Sequence, residues 1–195
     1  MPQPPYDTVE DLVRLIDEPN RTACERLLED HLALFHKVQG STHNHQAWPG
    51  GYYDHVQEVM NIAVGLYAFF MSRRPLPFSL SDALLVVFLH DVEKPWKYEL
   101  GPDGELQHIA SQRTKAEQHD FRLWKLAEYG IALTAEQQNG LKYVEGEFED
   151  YSNRRRIMGP LAAFCHLCDV TSARLWFDHP AADRDPWRGA TRGNS

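Results

Sequence analysis

Four residues of this chain, His55, the adjacent pair His90-Asp91 and Asp169, have the types and the order of a set that binds a divalent cation and activates water. Each falls where an ordinary soluble helix would carry something else. Tyr53 to Arg73 reads as a helix with Val59, Ile62, Leu66 and Phe69 or Phe70 on one stripe. His55 lies on that stripe four residues before Val59, so it should point inward. The run from Ala83 to Leu89 is apolar all round, as in a central core helix, and ends in His90-Asp91 before Pro95 stops it. Pro160 to Phe177 is a third helical stretch, with Pro160 acceptable in its first turn and Asp169 on the face of Ala162, Cys165, Ala173 and Trp176. An inward carboxylate there is costly unless it is paired or bound to a metal. Taken singly, each histidine reads as a hydrogen-bonded core residue and each aspartate as a local cap; taken together, they offset one another best through a shared cation.

Imidazole with carboxylate suits Mn²⁺, Fe²⁺, Co²⁺, Ni²⁺ or Zn²⁺, whereas Mg²⁺ usually prefers all-oxygen surroundings, so the sequence leaves the metal open among these. Water on such an ion deprotonates readily and can attack phosphorus in line, without a Ser or Cys nucleophile.

With His90-Asp91 thirty-five positions after His55 (90 − 55 = 35) and Asp169 on a late helix, the chain resembles the HD-domain metal-dependent phosphohydrolases and their H…HD…D signature. The resemblance runs from about His43 to Trp176 and has two local blocks. Trp48-Pro49-Gly50-Gly51-Tyr52-Tyr53-Asp54-His55 is similar to the Gly-Gly-x-x-x-His start of the first ligand helix, and Phe88-Leu89-His90-Asp91-Val92-Glu93-Lys94-Pro95 to the Leu-His-Asp-Ile-Gly-Lys-Pro block. The resemblance implies an all-α fold, a compact helical bundle with at most a minor β-hairpin, in which His55, His90, Asp91 and Asp169 ligate a divalent ion. It implies hydrolysis of phosphate esters, most often in nucleotides, with Lys94 neutralising a substrate phosphate. Glu93 replaces the usual glycine and stands as a candidate for tuning Lys94 or for proton transfer. Relatives with two metals use two further histidines. His119 is similar in placement to the first, and where the second is expected Glu145 or Glu147 would have to substitute, which favours a single ion.

Further residues are candidates for the pocket. His43 and His45, just before the Gly-Gly turn, would contact phosphate or a second metal, and Trp48 would stack a base; the alternative is a polar loop with one anchoring aromatic. Arg154, Arg155 and Arg156 could grip a polyphosphate, although such a run more often balances a nearby acidic stretch. His31 and His36 read as surface or helix-packing residues. Cys165 and Cys168 form a C-x-x-C within a helix, and without a partner pair they read as small buried residues beside Asp169.

The supporting elements are helical with short breaks: Thr8 to Asp17, Thr22 to Lys37, a capping box at Ser79 to Asp82, Thr114 to Tyr129 stopping at Gly130, and a helix opening at Thr134 with Gln137. Two short strands could flank the turn at Gly101 to Gly104, and residues 178–195 read as a loose tail after a single domain over residues 1–177. At 195 residues, 43% hydrophobic and 25% charged, the chain fits one core-bearing domain. No apolar stretch is long enough to span a bilayer and the N-terminus lacks the parts of a signal peptide, so a cytoplasmic protein is expected; three cysteines agree with a reducing compartment. A net charge of −8 argues against broad binding to extended nucleic acid and is compatible with a small nucleotide. Nothing in the sequence sets the oligomeric state, so a homo-oligomer stays among the expected forms.

The first expectation is a phosphohydrolase acting on a small nucleotide, such as a deoxynucleoside mono- or triphosphate. Within the same fold class, 3'-5' exonuclease and cyclic-nucleotide phosphodiesterase activities are alternatives. From another class comes a non-catalytic nucleotide-sensing or partner-binding domain.

Overall fold

The computed structural model describes residues 7–41, 44–100, 102, 106–109 and 112–175, and within these the fold is all-α apart from one hairpin. The helices are α1 (Val9–Val13), α2 (Asn20–Phe35), α3 (Gly51–Met71), α4 (Leu80–Leu89), α5 (Lys115–Tyr129), α6 (Ala135–Tyr143) and α7 (Pro160–Leu175). Short 3₁₀ turns lie at Lys94–Trp96 and Phe148–Asp150. Strands β1 (Tyr98–Leu100) and β2 (Leu106–His108) pair antiparallel across the expected turn, with Glu99 opposite Gln107.

Helix starts follow local chemistry. Ser79 opens α4, Thr114 opens α5 and Thr134 opens α6. Each hydroxyl accepts from the backbone N–H three residues on, while that residue's side chain (Asp82, Glu117, Gln137) returns to the cap N–H. Gly130 ends α5 in the left-handed conformation at φ 73°, which costs glycine little. At α2 the helix begins two residues earlier than the sequence suggests, with Pro19 itself as the capping residue.

Helix α4 is the hub. All its residues from Ala83 to Leu89 are buried, and α3, α6, α7 and α1 pack around it. A helix apolar on every side can be accommodated only in such a central position. Helix α3 divides in two. Residues from Gly51 to Met60 are buried on every face, whereas the outer half is only partly covered and Phe69 is 51% exposed, so the single apolar stripe expected from its spacing describes only the outer half. Its inner half lies among α1, α4 and α7, and that is the half carrying His55. Cys24, Cys165 and Cys168 are free, buried thiols whose pKa values burial pushes up, so they behave as small core residues. Residues 176–195, including Trp176 and the expected tail, lie outside the described residues. Among the described residues no helix is long and apolar enough to cross a membrane.

Candidate metal centre

The start of α3, the end of α4 and the middle of α7 meet at one point. Helix α3 begins after Gly50, whose φ of 84° lets the chain turn into the helix, and His55 follows within its first two turns. His90 caps the C-terminal end of α4. Asp91 follows, and the chain then tightens, with Val92 N–H bonding Leu89 O and Lys94 N–H bonding Asp91 O at 2.9 Å. This turn puts Lys94 Nζ 2.5 Å from Asp91 Oδ2. Asp169 comes from α7, which packs on α3, α4 and α6.

His55 Nε2 lies 3.2 Å from His90 Nε2, 3.2 Å from Asp169 Oδ1 and 3.6 Å from Asp91 Oδ2. His90 Nε2 lies 3.2 Å from Asp91 Oδ2 and 3.5 Å from Asp169 Oδ1. Ligands about 2.1 Å from one ion, subtending octahedral to tetrahedral angles at it, are about 3.0–3.4 Å apart; the three separations of 3.2 Å fall in that range, and those of 3.5 and 3.6 Å lie just beyond it. His55, His90 and Asp169 form a group able to hold a metal ion, and Asp91 borders it. Two nitrogen and two oxygen donors fit a borderline first-row cation better than a hard one.

The two carboxylates of the cluster are held ionised by the cationic groups around them. Asp169 is 15% exposed in its side chain and Asp91 4%. Burial alone would raise both carboxyl pKa values, but for Asp169 the hydrogen bonds to His55 and His90, and for Asp91 the charges of His90 and Lys94, outweigh it and hold both groups ionised. Burial depresses His55. On His90 the same burial is overcome by Asp91 and Asp169, which raise its pKa to about 10. Lys94 also stays charged, since Asp91, Asp169 and Glu93 together offset its desolvation.

The ring nitrogens turned away from the cluster are engaged. His90 Nδ1 donates to Val87 O at 2.6 Å, and His55 Nδ1 contacts Ser172 Oγ at 3.1 Å. Such outer partners fix the tautomer of a ligating histidine. Ser172, Glu58 and Gln46 complete this outer layer, and the sequence reading missed all three. The available signals were a glutamate on the inward face one turn after His55 and a serine one turn after Asp169.

The remaining candidates are placed as follows. Glu93 is buried, and its carboxylate accepts from Arg122 Nε at 2.9 Å. His119 lines a cavity of about 300 Å³ with Lys115, Arg122, Lys142 and Glu145; burial, then Arg122, lower its pKa. Glu145 is held by Lys115 Nζ at 2.7 and 2.9 Å, and Glu147 accepts from Met158 N–H. Among the described residues, no metal-capable group includes His119, Glu145 or Glu147. The His45 ring lies tilted beside that of His55, with centroids 4.7 Å apart, and burial together with His55 and Lys94 lowers its pKa to about 3, which leaves it neutral. His43 lies outside the described residues. Arg154, Arg155 and Arg156 line a separate surface cavity of about 480 Å³ with Tyr151 and Glu147, and its lining includes none of the four cluster residues.

Trp48 corrects an expectation. Its indole is 3% exposed and its Nε1 donates to Asp54 at 2.7 Å, so the ring anchors the loop to α3 and has no face open to a base. His31 and His36 pack as expected, the first edge-on against Trp96 and the second 4.1 Å from the ring of Tyr53.

In comparisons with known proteins, no family model, no curated protein and no solved structure matches the chain.

Proposed function

We propose that this protein is a metal-dependent phosphohydrolase of the HD type, cleaving a phosphoester or phosphoanhydride bond of a small nucleotide with a metal-activated water. One observation carries the reading: His55, His90, Asp91 and Asp169 are brought by α3, α4 and α7 to N–N and N–O separations of 3.2–3.6 Å, with the Lys94 ammonium on the Asp91 carboxylate. Bound there, a divalent ion supplies a Lewis acid and lowers the pKa of a coordinated water.

The chain's own residues supply the rest. Asp91 holds Lys94 beside the cluster, where its charge offsets that developing on phosphoryl oxygens. Burial of His55, His90 and Asp91 keeps bulk water from screening these charges. His45, neutral and beside His55, offers a hydrogen-bond acceptor at the edge of the site. Glu93, bonded to Arg122, acts on the position of the α4 end. The base, the sugar and the number of phosphates are choices for experiment; deoxynucleoside mono- and triphosphates head the substrates to test.

The test is a turnover screen of purified protein with Mn²⁺, Co²⁺ or Mg²⁺ and a nucleotide panel that includes cyclic nucleotides and single-stranded ends, with Asp91→Ala as control. Wild-type-only product supports the reading, and its identity as phosphate, pyrophosphate or triphosphate names the bond cut. A protein that binds the ion and a nucleotide but turns over nothing is a sensor instead.

A further inference from the structure

Behind the imidazoles lies a polar group sealed from solvent: Gln46, Glu58 and Ser172 are 0%, 2% and 0% exposed. Glu58 Oε2 lies 2.5 Å from Ser172 Oγ and 3.1 Å from Gln46 Nε2, and Gln46 Nε2 also reaches Ser172 Oγ at 3.3 Å. On the far side, Ser172 Oγ meets His55 Nδ1 at 3.1 Å and Gln46 Oε1 meets His45 Nδ1 at 2.7 Å.

The direction of each bond follows from what each group can do. A carboxylate only accepts, so the single proton of Ser172 goes to Glu58, and Gln46 turns its amide NH₂ toward Glu58 and its carbonyl toward His45. Ser172 then has only lone pairs to offer His55, and Gln46 only a carbonyl for His45. Both rings must donate from Nδ1, which leaves the Nε2 of His45 bare and turns that of His55, 3.2 Å from Asp169 Oδ1, toward the cation site.

The backbone is built to hold Gln46 in this position. Its φ is 42°, a left-handed conformation that a non-glycine residue keeps only where its surroundings over-determine it. Gly40 N–H bonds the Gln46 carbonyl at 3.0 Å, and a Cβ on Gly51 would overlap that same carbonyl oxygen. The second glycine of the Gly50-Gly51 pair therefore makes room for Gln46 at the foot of α3.

We propose that Gln46, Glu58 and Ser172 are positioning residues that fix the protons of His55 and His45 on Nδ1. Both rings then turn Nε2 toward the site: that of His55 would serve as a ligand once a cation took the place of its proton toward Asp169, and that of His45 as an acceptor for a water or a substrate hydroxyl. The use of this device rests on the cation site read above; the proton positions do not.

The experiment is long-range ¹⁵N–¹H NMR of the histidine rings in the metal-free protein at neutral pH, paired with Co²⁺ titration. Wild type should show a proton on Nδ1 of both His55 and His45. Ser172→Ala should free the His55 tautomer while sparing His45, and Gln46→Ala should free that of His45. Ser172→Ala should also weaken Co²⁺ binding by about 10–100-fold with unchanged far-ultraviolet circular dichroism. Glu58→Gln, which keeps shape and an acceptor, should lose less. A bare Nδ1 on either ring in wild type overturns the inference, as does Co²⁺ affinity in folded Ser172→Ala equal to that of wild type. Should Ser172→Ala fail to fold, the wild-type spectrum and Glu58→Gln still decide. A wild type that shows both Nδ1 protons but binds no Co²⁺ or Mn²⁺ would sink the cation reading and leave the proton positions standing.

Discussion

Two sets of carboxylates lie near the C-terminal end of α4. Asp91 and Asp169 face the Nε2 atoms of His55 and His90, with one ammonium, Lys94, alongside. Glu93, two residues after Asp91, is closed by Arg122, and Glu145 is closed by Lys115. The first set is open, in that with its two imidazoles it could also hold a metal ion; the second is closed by cations of the chain itself. Lys94 reaches Asp91 as closely as Arg122 reaches Glu93, so a side-chain cation alone does not separate the two sets; the two imidazoles do, and among the described residues only the first set contributes to a group able to hold a metal ion.

Removing a ligand from the open set should give the largest effect. His90→Ala or Asp91→Ala should lower Co²⁺ or Mn²⁺ affinity by more than about a hundredfold and take any turnover to background, because these groups supply the donor atoms themselves. Isothermal titration reads the first and product analysis the second; an unchanged affinity would place the ion elsewhere.

Next comes Arg122→Ala, which strands the buried Glu93 carboxylate and should cost about 3–5 kcal/mol in urea unfolding. Restoring a closed, uncharged pair with Glu93→Gln and Arg122→Met should recover most of that loss. Full recovery on adding Co²⁺ to the single variant would break the comparison, since it would mean that the closed set also accepts a metal.

The open set should also respond to the ion thermodynamically. Co²⁺ at a hundred times its Kd should stabilise wild type by about 2.7 kcal/mol, and Asp169→Asn should show little of this. Thermal melts at matched protein concentration measure the difference.

The smallest effect belongs to the aspartate at the other end of α4. Asp82 caps the helix, and although its partial burial raises its pKa, the hydrogen bonds from Ser79 and Gln137 outweigh that and lower it. A depressed folded pKa gives stability that is present above the unfolded value of 3.8 and is lost as pH falls through the folded one. Asp82→Asn should therefore cost about 1 kcal/mol at neutral pH, with the gap to wild type narrowing in acid. A gap that widened in acid would contradict the sign.

The sequence by itself determined the helical bundle and the identity of the cluster. Capping boxes at Ser79, Thr114 and Thr134 are three-residue local interactions, Gly130 stops α5 by its own backbone freedom, and the all-apolar run of α4 has no stable place but the centre. Inward polar residues on three such helices are visible in periodicity alone because burial of an unpartnered charge is costly wherever it occurs. Tertiary structure alone decided which partner each remaining polar group would meet. Trp48 took Asp54 rather than facing solvent; Glu93 found Arg122 twenty-nine residues away (122 − 93 = 29); Gln46 and Ser172, 126 positions apart (172 − 46 = 126), met over Glu58. Propensity and periodicity act within a turn or two of chain, whereas these pairings depend on the angle at which one helix crosses another, and no spacing rule encodes that angle.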